Sequence, residues 1–242
     1  MSDTSRTDGR APSELRPITF ERGFTENAPG SVLASFGRTR VLCTAMVTDG
    51  VPPFLQGRGQ GWLTAEYSML PSSTATRKVR DRSGRIDGRS VEIQRLIGRA
   101  VRAVVDLGRM TERTVWIDCD VLQADGGTRT TAISGAWVAL HDLFTRMDEK
   151  RLLRSWPLVS QVAGVSVGVV GGVPMCDLCY AEDSKAETDM NLVMTSAGRF
   201  VEVQGSAEGA PFDQVELDGM LELGRAGILQ VFAAQKAALG LA

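Results

Sequence analysis

The stretch RTVWIDCDVLQADGGTRTTAISGAWVALHDLF, residues 113–144, contains the clearest change of pattern in the chain. From 114 to 122 apolar and polar residues alternate, which is the period of a strand with one buried face. Gly126 and Gly127 interrupt this alternation, and from 132 to 144 the apolar residues recur at helical spacing. The stretch therefore predicts a strand, a glycine turn and a helix in succession.

The glycine turn, GGTRT at 126–130, is a candidate anion site. Adjacent glycines allow the backbone to approach a ligand, the amides at a helix start favour an anion, and Arg129 adds a guanidinium group. The segment is neither a Walker loop nor a GxGxxG fingerprint. Two interpretations are open: a phosphate or carboxylate cradle formed by Gly127, Thr128 and Arg129, or an ordinary helix start capped by Thr128 or Thr130.

A second predicted helix, residues 90–107, begins after Gly88 and Arg89. A cation in the first turn opposes the helix dipole, and a bound anion would offset that cost. We therefore interpret Arg89 as a second arm of the anion site. Three arginines share another face of this helix at spacing i, i+4 and i+7: Arg95, Arg99 and Arg102.

The segment AEDSKAETDMN, residues 181–191, collects carboxylates just before a predicted strand. Proteins hold Mg²⁺ through one or two carboxylates, with water and phosphate oxygens completing the shell, and Asp183 and Asp189 are candidates for that role. A solvated acidic loop explains the same residues. Two anion cradles and an acidic pair in one chain favour the metal interpretation, because phosphoryl transfer needs both.

The rest of the chain predicts an α+β fold of duplicated units within one compact domain. A hairpin is expected over 30–47, and the irregular stretch 52–87 is long enough to indicate a functional loop. We place a disordered polar tail at 1–9 and two halves at 10–150 and 151–242. The second half predicts four strands, at 162–170, 173–180, 190–195 and 200–204, and two closing helices, at 213–223 and 225–239.

Charge is unevenly distributed along the chain, although the formal net charge is −2. Residues 77–109 carry a local charge of +6, whereas residues 176–242 carry −7. Basic side chains on a mobile loop can follow a nucleic-acid backbone, and five of them lie in the long stretch: Arg77, Lys78, Arg80, Arg82 and Arg85. The asymmetry indicates a polyanion-facing side and a carboxylate-rich side, or else ordinary solvated surfaces.

Several function classes are disfavoured by composition. Four cysteines in 242 residues are too few for a disulfide framework. One CxxC and a single histidine, His141, supply too few ligands for a four-ligand zinc site. No segment reaches the roughly 20 apolar residues of a membrane span, and the first residues lack an apolar signal segment. We expect a cytoplasmic protein with no membrane partner.

Six stretches of the chain resemble ribonuclease PH of bacteria. They are ELRPITFERGF (14–24), GSVLASFGRTRVLCTA (30–45), VPPFLQGRGQGWLTAEYSMLP (51–71), DGRSVEIQRLIGRAVRAVVDL (87–107), RTVWIDCDVLQADGGTRTTAISGAW (113–137) and LCYAEDSKAETDMNLVMTSAGRFVEVQGSAE (178–208). The resemblance covers nearly the whole chain from about residue 8, and the stretches are long and specific.

The resemblance implies a phosphate-dependent 3′-to-5′ exoribonuclease, or tRNA nucleotidyltransferase, that trims tRNA precursors and ribosomal RNA. Inorganic phosphate would be the co-substrate, nucleoside diphosphates the products, and nucleotide addition the reverse reaction. The family's phosphate site falls on Arg89, Gly127, Thr128 and Arg129, and its metal site, for Mg²⁺ or Mn²⁺, on Asp183 and Asp189. Its RNA-binding arginines match Arg77 and Arg80. The implied fold is a duplicated βαβα arrangement, and the implied assembly is a homohexamer built as a trimer of dimers.

Two rival functions are weighed against this one. A catalytically silent RNA-binding ring subunit would not need Arg89, Arg129, Asp183 and Asp189 together. A metal-dependent hydrolase would release nucleoside monophosphates without phosphate, and residue spacing alone does not exclude it. One departure from the wider superfamily is Asn191, which stands where the related polynucleotide phosphorylase has a lysine, so a cationic role is not expected there.

Overall fold

The computed structural model describes residues 6–80, 87–209 and 211–241, which form two β-sheets and four α-helices. In chain order the elements are β1 (Ile18–Arg22), β2 (Gly30–Phe36), β3 (Thr39–Asp49), β4 (Trp62–Met69), α1 (Gly88–Arg102), β5 (Arg113–Gln123), α2 (Thr128–Glu149), β6 (Val162–Val170), β7 (Val173–Cys176), α3 (Tyr180–Asp183), β8 (Thr188–Thr195), β9 (Phe200–Ala207) and α4 (Gln214–Leu239). None of these helices is long and apolar enough to cross a bilayer.

The first sheet has the strand order β1-β2-β3-β5-β4. β4 runs parallel to β5, and the other neighbours are antiparallel. The predicted hairpin is confirmed as β2 and β3, and Gly37 in its turn adopts φ +56°. α2 packs on β2 and β3 and also on β6 of the second sheet, so it is buried on most sides. Its position between two sheets explains why its sequence is apolar over more than one face.

The second sheet has the order β7-β6-β8-β9 and is antiparallel throughout. α4 packs on β6 and β7 and also contacts β1 of the first sheet. The main core is one cluster of buried side chains that draws on both halves of the chain. The prediction of an α+β fold with a shared core is confirmed.

The long irregular stretch at 52–87 contains a strand that the sequence analysis missed. β4 shows the alternation of a half-buried strand, with Leu63, Ala65 and Tyr67 turned inward. The glycines and prolines on either side of this short strand hid its alternation within an otherwise irregular stretch. Residues 81–86, which include the predicted basic residues Arg82 and Arg85, lie outside the described part of the chain.

Two boundaries in the second half differ from the prediction. α4 is one continuous helix, because Gly224 does not break it: a side chain there would overlap Leu192, so the glycine permits close packing against β8. The predicted strand 173–180 ends at Cys176, because Asp177 adopts φ +54° and the short helix α3 follows.

The N-terminal segment is more ordered than a disordered tail over 1–9 would be. Residues 1–5 are not described, but the Arg6 side chain is buried and donates to both carboxylate oxygens of Glu182, at 2.8 and 2.7 Å. Arg6 also donates to the backbone oxygens of Cys176 and Asp177. A buried charge needs such a partner, so residues 6–9 belong to the folded unit.

Candidate functional site

The six residues predicted to bind phosphate and metal line one cleft of about 510 Å³. The N-termini of α1 and α2 form one side, and α3 with the start of β8 forms the other. Its lining comprises Arg89, Gly127, Thr128, Arg129, Ser166, Asp183, Ser184, Lys185, Ala186, Asp189, Asn191 and Glu208. Arg89 and Asp189, which are 100 positions apart in the chain, therefore meet at one place.

The glycine turn is built to present the N-terminus of α2 to this cleft. Gly126 and Gly127 adopt φ values of +78° and +64°, a region that L-residues rarely occupy. A side chain at Gly126 would lie 2.5 Å from the carbonyl oxygen of Leu178. The carbonyl of Gly127 accepts hydrogen bonds from the Thr131 amide and the Thr130 hydroxyl. The first amides of the helix have no carbonyl partner within it and are available to an anion.

Two arginines supply positive charge at the same place. Arg129 donates to Gln204 Oε1 at 3.1 Å and lies 3.5 Å from Glu92 Oε1, contacts that orient its guanidinium at the cleft wall. Arg89 lies in the first turn of α1, which Asp87 caps by accepting from the Arg89 amide. The predicted caps Thr128 and Thr130 are not used for α2, whose N-cap is Gly127 without a side-chain hydrogen bond.

Asp183 and Asp189 form the acidic side of the cleft. Burial and the neighbouring charge of Asp189 raise the pKa of the Asp183 carboxyl, and the charges of Arg89, Arg129 and Arg16 act in the opposite direction. Asp183 thus lies close enough to Asp189 for repulsion and close enough to Arg89 and Arg129 to feel their positive charges. No group of three or more His, Cys, Asp or Glu residues in the described ranges is arranged to hold a metal. A pair of carboxylates suits an ion that also binds water and phosphate oxygens.

A buried ion pair that the sequence analysis missed lies behind the cleft. Arg16 donates to both carboxylate oxygens of Asp177, at 2.9 and 2.6 Å, and to the backbone oxygen of Asp125 at 2.5 Å. Asp125 precedes the glycine turn, and Asp177 precedes α3, which carries Asp183. The Arg16 side chain therefore connects the segment before the glycine turn with the segment before α3.

The Arg6 contact with Glu182 fixes α3 from the other direction. Glu182 also accepts from the Cys179 amide at 3.0 Å, closing the first turn of this short helix. Burial raises the pKa of Glu182, but the hydrogen bonds from Arg6 and Cys179 outweigh burial and hold that pKa below its usual range. Glu182 is therefore a charged structural residue, although the sequence placed it beside the metal candidates.

Five further polar residues of the lining were not singled out as site residues: Ser166, Ser184, Lys185, Asn191 and Glu208. Ser166 and Asn191 face each other across β6 and β8, and Asn191 is 8% exposed. Lys185 lies in the acidic segment 181–191, and its positive charge among carboxylates is the signal that could have marked it as a site residue. Glu208 follows β9, and no local pattern marks it.

Comparison with known proteins identifies the chain. Residues 14–144 match domain 1 of the 3′ exoribonuclease family, and residues 160–227 match domain 2 of the same family. The chain belongs to the 3′ exoribonuclease family. This is the ribonuclease PH family that the sequence resembles, so the family prediction is confirmed at this level.

Three solved structures share this fold. Rice (Oryza sativa) Rrp46 is 19% identical, with a TM-score of 0.78 over 97% of this chain and 100% of that one. A subunit of the Archaeoglobus fulgidus exosome with RNA bound to the active site is 23% identical, with a TM-score of 0.78 over 94% of this chain and 92% of that one. A chain of an archaeal exosome core is 21% identical, with a TM-score of 0.77 over 98% and 92%.

The cleft lies between the two 3′ exoribonuclease domains. Domain 1 contains Arg89 and the glycine turn, and domain 2 contains Asp183 and Asp189. The predicted RNA-binding arginines Arg77 and Arg80 are exposed and do not line this cleft. Their loop contacts the N-terminus of α1, which borders the cleft: Lys78 Nζ lies 2.8 Å from a carboxylate oxygen of Asp87, the N-cap of α1.

Proposed function

We propose that this protein is a phosphorolytic 3′-to-5′ exoribonuclease that trims the 3′ ends of tRNA precursors and ribosomal RNA. The observation that carries the proposal is the cleft in which two arginines and the N-terminus of α2 face a pair of carboxylates. Phosphoryl transfer between two anions needs positive charge for the attacking phosphate and a way to neutralise the scissile phosphate. The family membership supports an RNA 3′ end as the substrate.

Inorganic phosphate is proposed to bind Arg89, Arg129 and the amides at Thr128. One phosphate oxygen then attacks the phosphorus of the last linkage, and the 3′ oxygen of the preceding nucleotide leaves. The product is a nucleoside diphosphate and an RNA shortened by one nucleotide, so an excess of diphosphate reverses the reaction. The protein contributes chiefly position and charge, because this reaction asks little covalent chemistry of it.

Asp183 and Asp189 are proposed to hold Mg²⁺, with Mn²⁺ as a possible substitute. The two residues fit such an ion, because their mutual repulsion is relieved by a cation and the cleft leaves room for water and phosphate oxygens. When bound, the ion would neutralise charge on the reacting phosphate. Arg77 and Arg80 are proposed to contact the RNA backbone. The active assembly is proposed to be a homohexamer built as a trimer of dimers.

The test is a product assay on a tRNA with extra 3′ nucleotides, with Mg²⁺ and with or without inorganic phosphate. We expect nucleoside diphosphates only when phosphate is present, and 3′ extension when diphosphates are in excess. Arg129→Ala should reduce the rate by about 10²-fold or more, since it removes a charged donor to the reacting groups. Arg146→Ala is the matched control, because Arg146 is exposed on the same helix about 26 Å away and should leave the rate unchanged.

Each alternative predicts a different result in the same assay. Nucleoside monophosphates released without phosphate would show a hydrolase. RNA binding with no product under any condition would show a silent RNA-binding subunit. Equal losses from Arg129→Ala and Arg146→Ala would remove the cradle from the mechanism.

A further inference from the structure

A tyrosine hydroxyl lies behind the anion side of the cleft without lining it. Tyr67, on the edge strand β4, is 5% exposed, and its hydroxyl donates to Thr128 Oγ1 at 2.9 Å. Thr128 is the first residue of α2 and lines the cleft, whereas Tyr67 does not. The hydrogen bond joins residues 61 positions apart and connects the inner face of the first sheet with the proposed phosphate cradle.

The charges around Tyr67 place its hydroxyl close to both cleft arginines. Burial raises the pKa of Tyr67 above its usual value. The hydrogen bond to Thr128 and the charges of Arg89 and Arg129 act in the opposite direction but do not outweigh burial. The hydroxyl therefore keeps its proton at neutral pH and remains a donor. Since Tyr67 does not line the cleft, it reaches a bound anion only through its contact with Thr128.

The direction of this hydrogen bond decides what the Thr128 hydroxyl can do. A hydroxyl has one proton to donate and two acceptor positions, and Tyr67 occupies one acceptor position. Thr130 and Thr131, in the same turn, donate their protons to the Gly127 carbonyl. Within the described part of the chain, no such acceptor is found for the Thr128 proton. That proton is therefore available to an anion that enters the cleft.

The Tyr67 contact restricts the Thr128 side chain to one orientation. A threonine in a helix divides between two rotamers, since its hydroxyl can also turn to a backbone carbonyl of the preceding turn. A fixed donor at Oγ1 selects one of them, and a binding group that is held in place before the ligand arrives lowers the entropy cost of binding.

We propose that Tyr67 is a positioning residue for phosphate, which holds the Thr128 hydroxyl in the orientation that donates to inorganic phosphate. The inference rests on the proposed function, from which it takes phosphate as the anion of the cleft. It adds a residue that touches neither substrate and acts through Thr128.

The test compares Tyr67→Phe with Tyr180→Phe in the full-length protein. Both changes remove one phenol hydroxyl and keep the ring, but Tyr180 is 65% exposed, and its hydroxyl makes no hydrogen bond within the described residues. Tyr67→Phe should raise the dissociation constant of inorganic phosphate by about 3- to 10-fold, the usual worth of one hydrogen bond. Tyr180→Phe should leave it unchanged. Titration calorimetry with inorganic phosphate alone measures both constants, and urea denaturation checks the fold.

Two variants of Thr128 separate positioning from a structural role. Thr128→Val removes the hydroxyl through which Tyr67 acts, whereas Thr128→Ser keeps it. Tyr67→Phe should weaken phosphate binding in the wild-type and Thr128→Ser backgrounds and have no further effect in Thr128→Val. In the phosphorolysis assay, Tyr67→Phe should raise the KM for phosphate by a similar factor. The kcat at saturating phosphate and the KM for RNA should not change, because the cleft arginines remain in place.

Three results would overturn the inference: an unchanged phosphate dissociation constant in Tyr67→Phe, an equal loss in Tyr180→Phe, or the same loss from Tyr67→Phe in the Thr128→Val background. A wild-type protein that binds no phosphate would overturn it as well. A lowered urea midpoint with unchanged phosphate affinity would show that Tyr67 serves stability alone.

The products of the assay answer the separate question of function. A protein that binds phosphate but releases no nucleoside diphosphates would contradict phosphorolysis, and the effect of Tyr67→Phe on phosphate binding would still stand. Release of diphosphates by a protein whose phosphate affinity does not respond to Tyr67→Phe would have the reverse meaning.

Discussion

At the scale of single residues, the cleft depends on charges that are costly to bring together. Asp183 has a raised pKa because it is partly buried and lies near Asp189, whereas Arg89, Arg129 and Arg16 act against that shift. A carboxylate kept in this position despite repulsion supports the proposed cation site. The acidic pair should therefore matter more for turnover than for holding RNA.

The substitution Asp189→Asn tests this directly. Asparagine preserves the size of the side chain and removes its charge, so we expect kcat to fall by about 10²-fold or more, a loss typical of removing one charge-stabilising group. The dissociation constant for RNA should change little, because the arginines are untouched. Asp148→Asn is the control, since Asp148 is exposed at the far end of α2, about 30 Å from Thr128. Rapid-quench kinetics and filter binding measure the two quantities, and undiminished kcat in Asp189→Asn would exclude the metal role.

At the scale of elements, the glycine turn before α2 decides where the proposed anion cradle lies. Gly126 approaches the backbone of 178–180, so it needs both a positive φ and the absence of a side chain. Gly171, in the hairpin between β6 and β7, has a similar φ of +60° but open space around it. The two positions therefore separate the cost of backbone strain from the cost of a steric clash.

Gly126→Ala should destabilise the protein more than Gly171→Ala does. The control should cost about 1–2 kcal/mol, the penalty of an L-residue in the left-handed region. Gly126→Ala adds an overlap with the Leu178 carbonyl, so the loop before α3 must move, and the KM for phosphate should rise as well. Urea unfolding and phosphate titrations measure both effects. Equal stability and equal KM in the two variants would mean that the close approach is unimportant.

Local patterns in the sequence predicted most elements and the glycine turn before α2. The alternation at 114–122 and the helical period after Gly127 are properties of neighbouring residues, and the structure confirms both as β5 and α2. The two helices expected at 213–223 and 225–239 form a single helix: Gly224 lies against Leu192 instead of ending a helix, and no local pattern records that contact. The roles of the predicted site residues stay predictions, although the cleft brings them together.

At the scale of the whole molecule, the ion pair between Arg16 and Asp177 joins the two halves behind the cleft. The partners are 161 positions apart, which is why sequence spacing did not indicate them. Both side chains are almost completely buried, at 4% and 2% exposure. Removing one member of such a pair leaves an uncompensated charge in the interior, which is more damaging than losing the contact itself.

Asp177→Asn should therefore lower the free energy of unfolding by about 3–5 kcal/mol, the usual cost of breaking a buried pair. Asparagine tolerates the positive φ at this position, so the loss would report the charge rather than the backbone. Asp49→Asn is the matched control: Asp49 pairs with Arg113 at 2.9 Å but is 89% exposed, and exposed pairs contribute about 0–1 kcal/mol. Urea denaturation of both variants measures the difference.

Arg16 also donates to Asp125, which precedes the glycine turn. When Arg16 loses Asp177 as a partner, the proposed cradle should therefore shift relative to Asp183, and the KM for phosphate should rise in Asp177→Asn alone. A variant that loses stability but keeps the wild-type KM would show that the pair holds the two halves together without positioning the cleft.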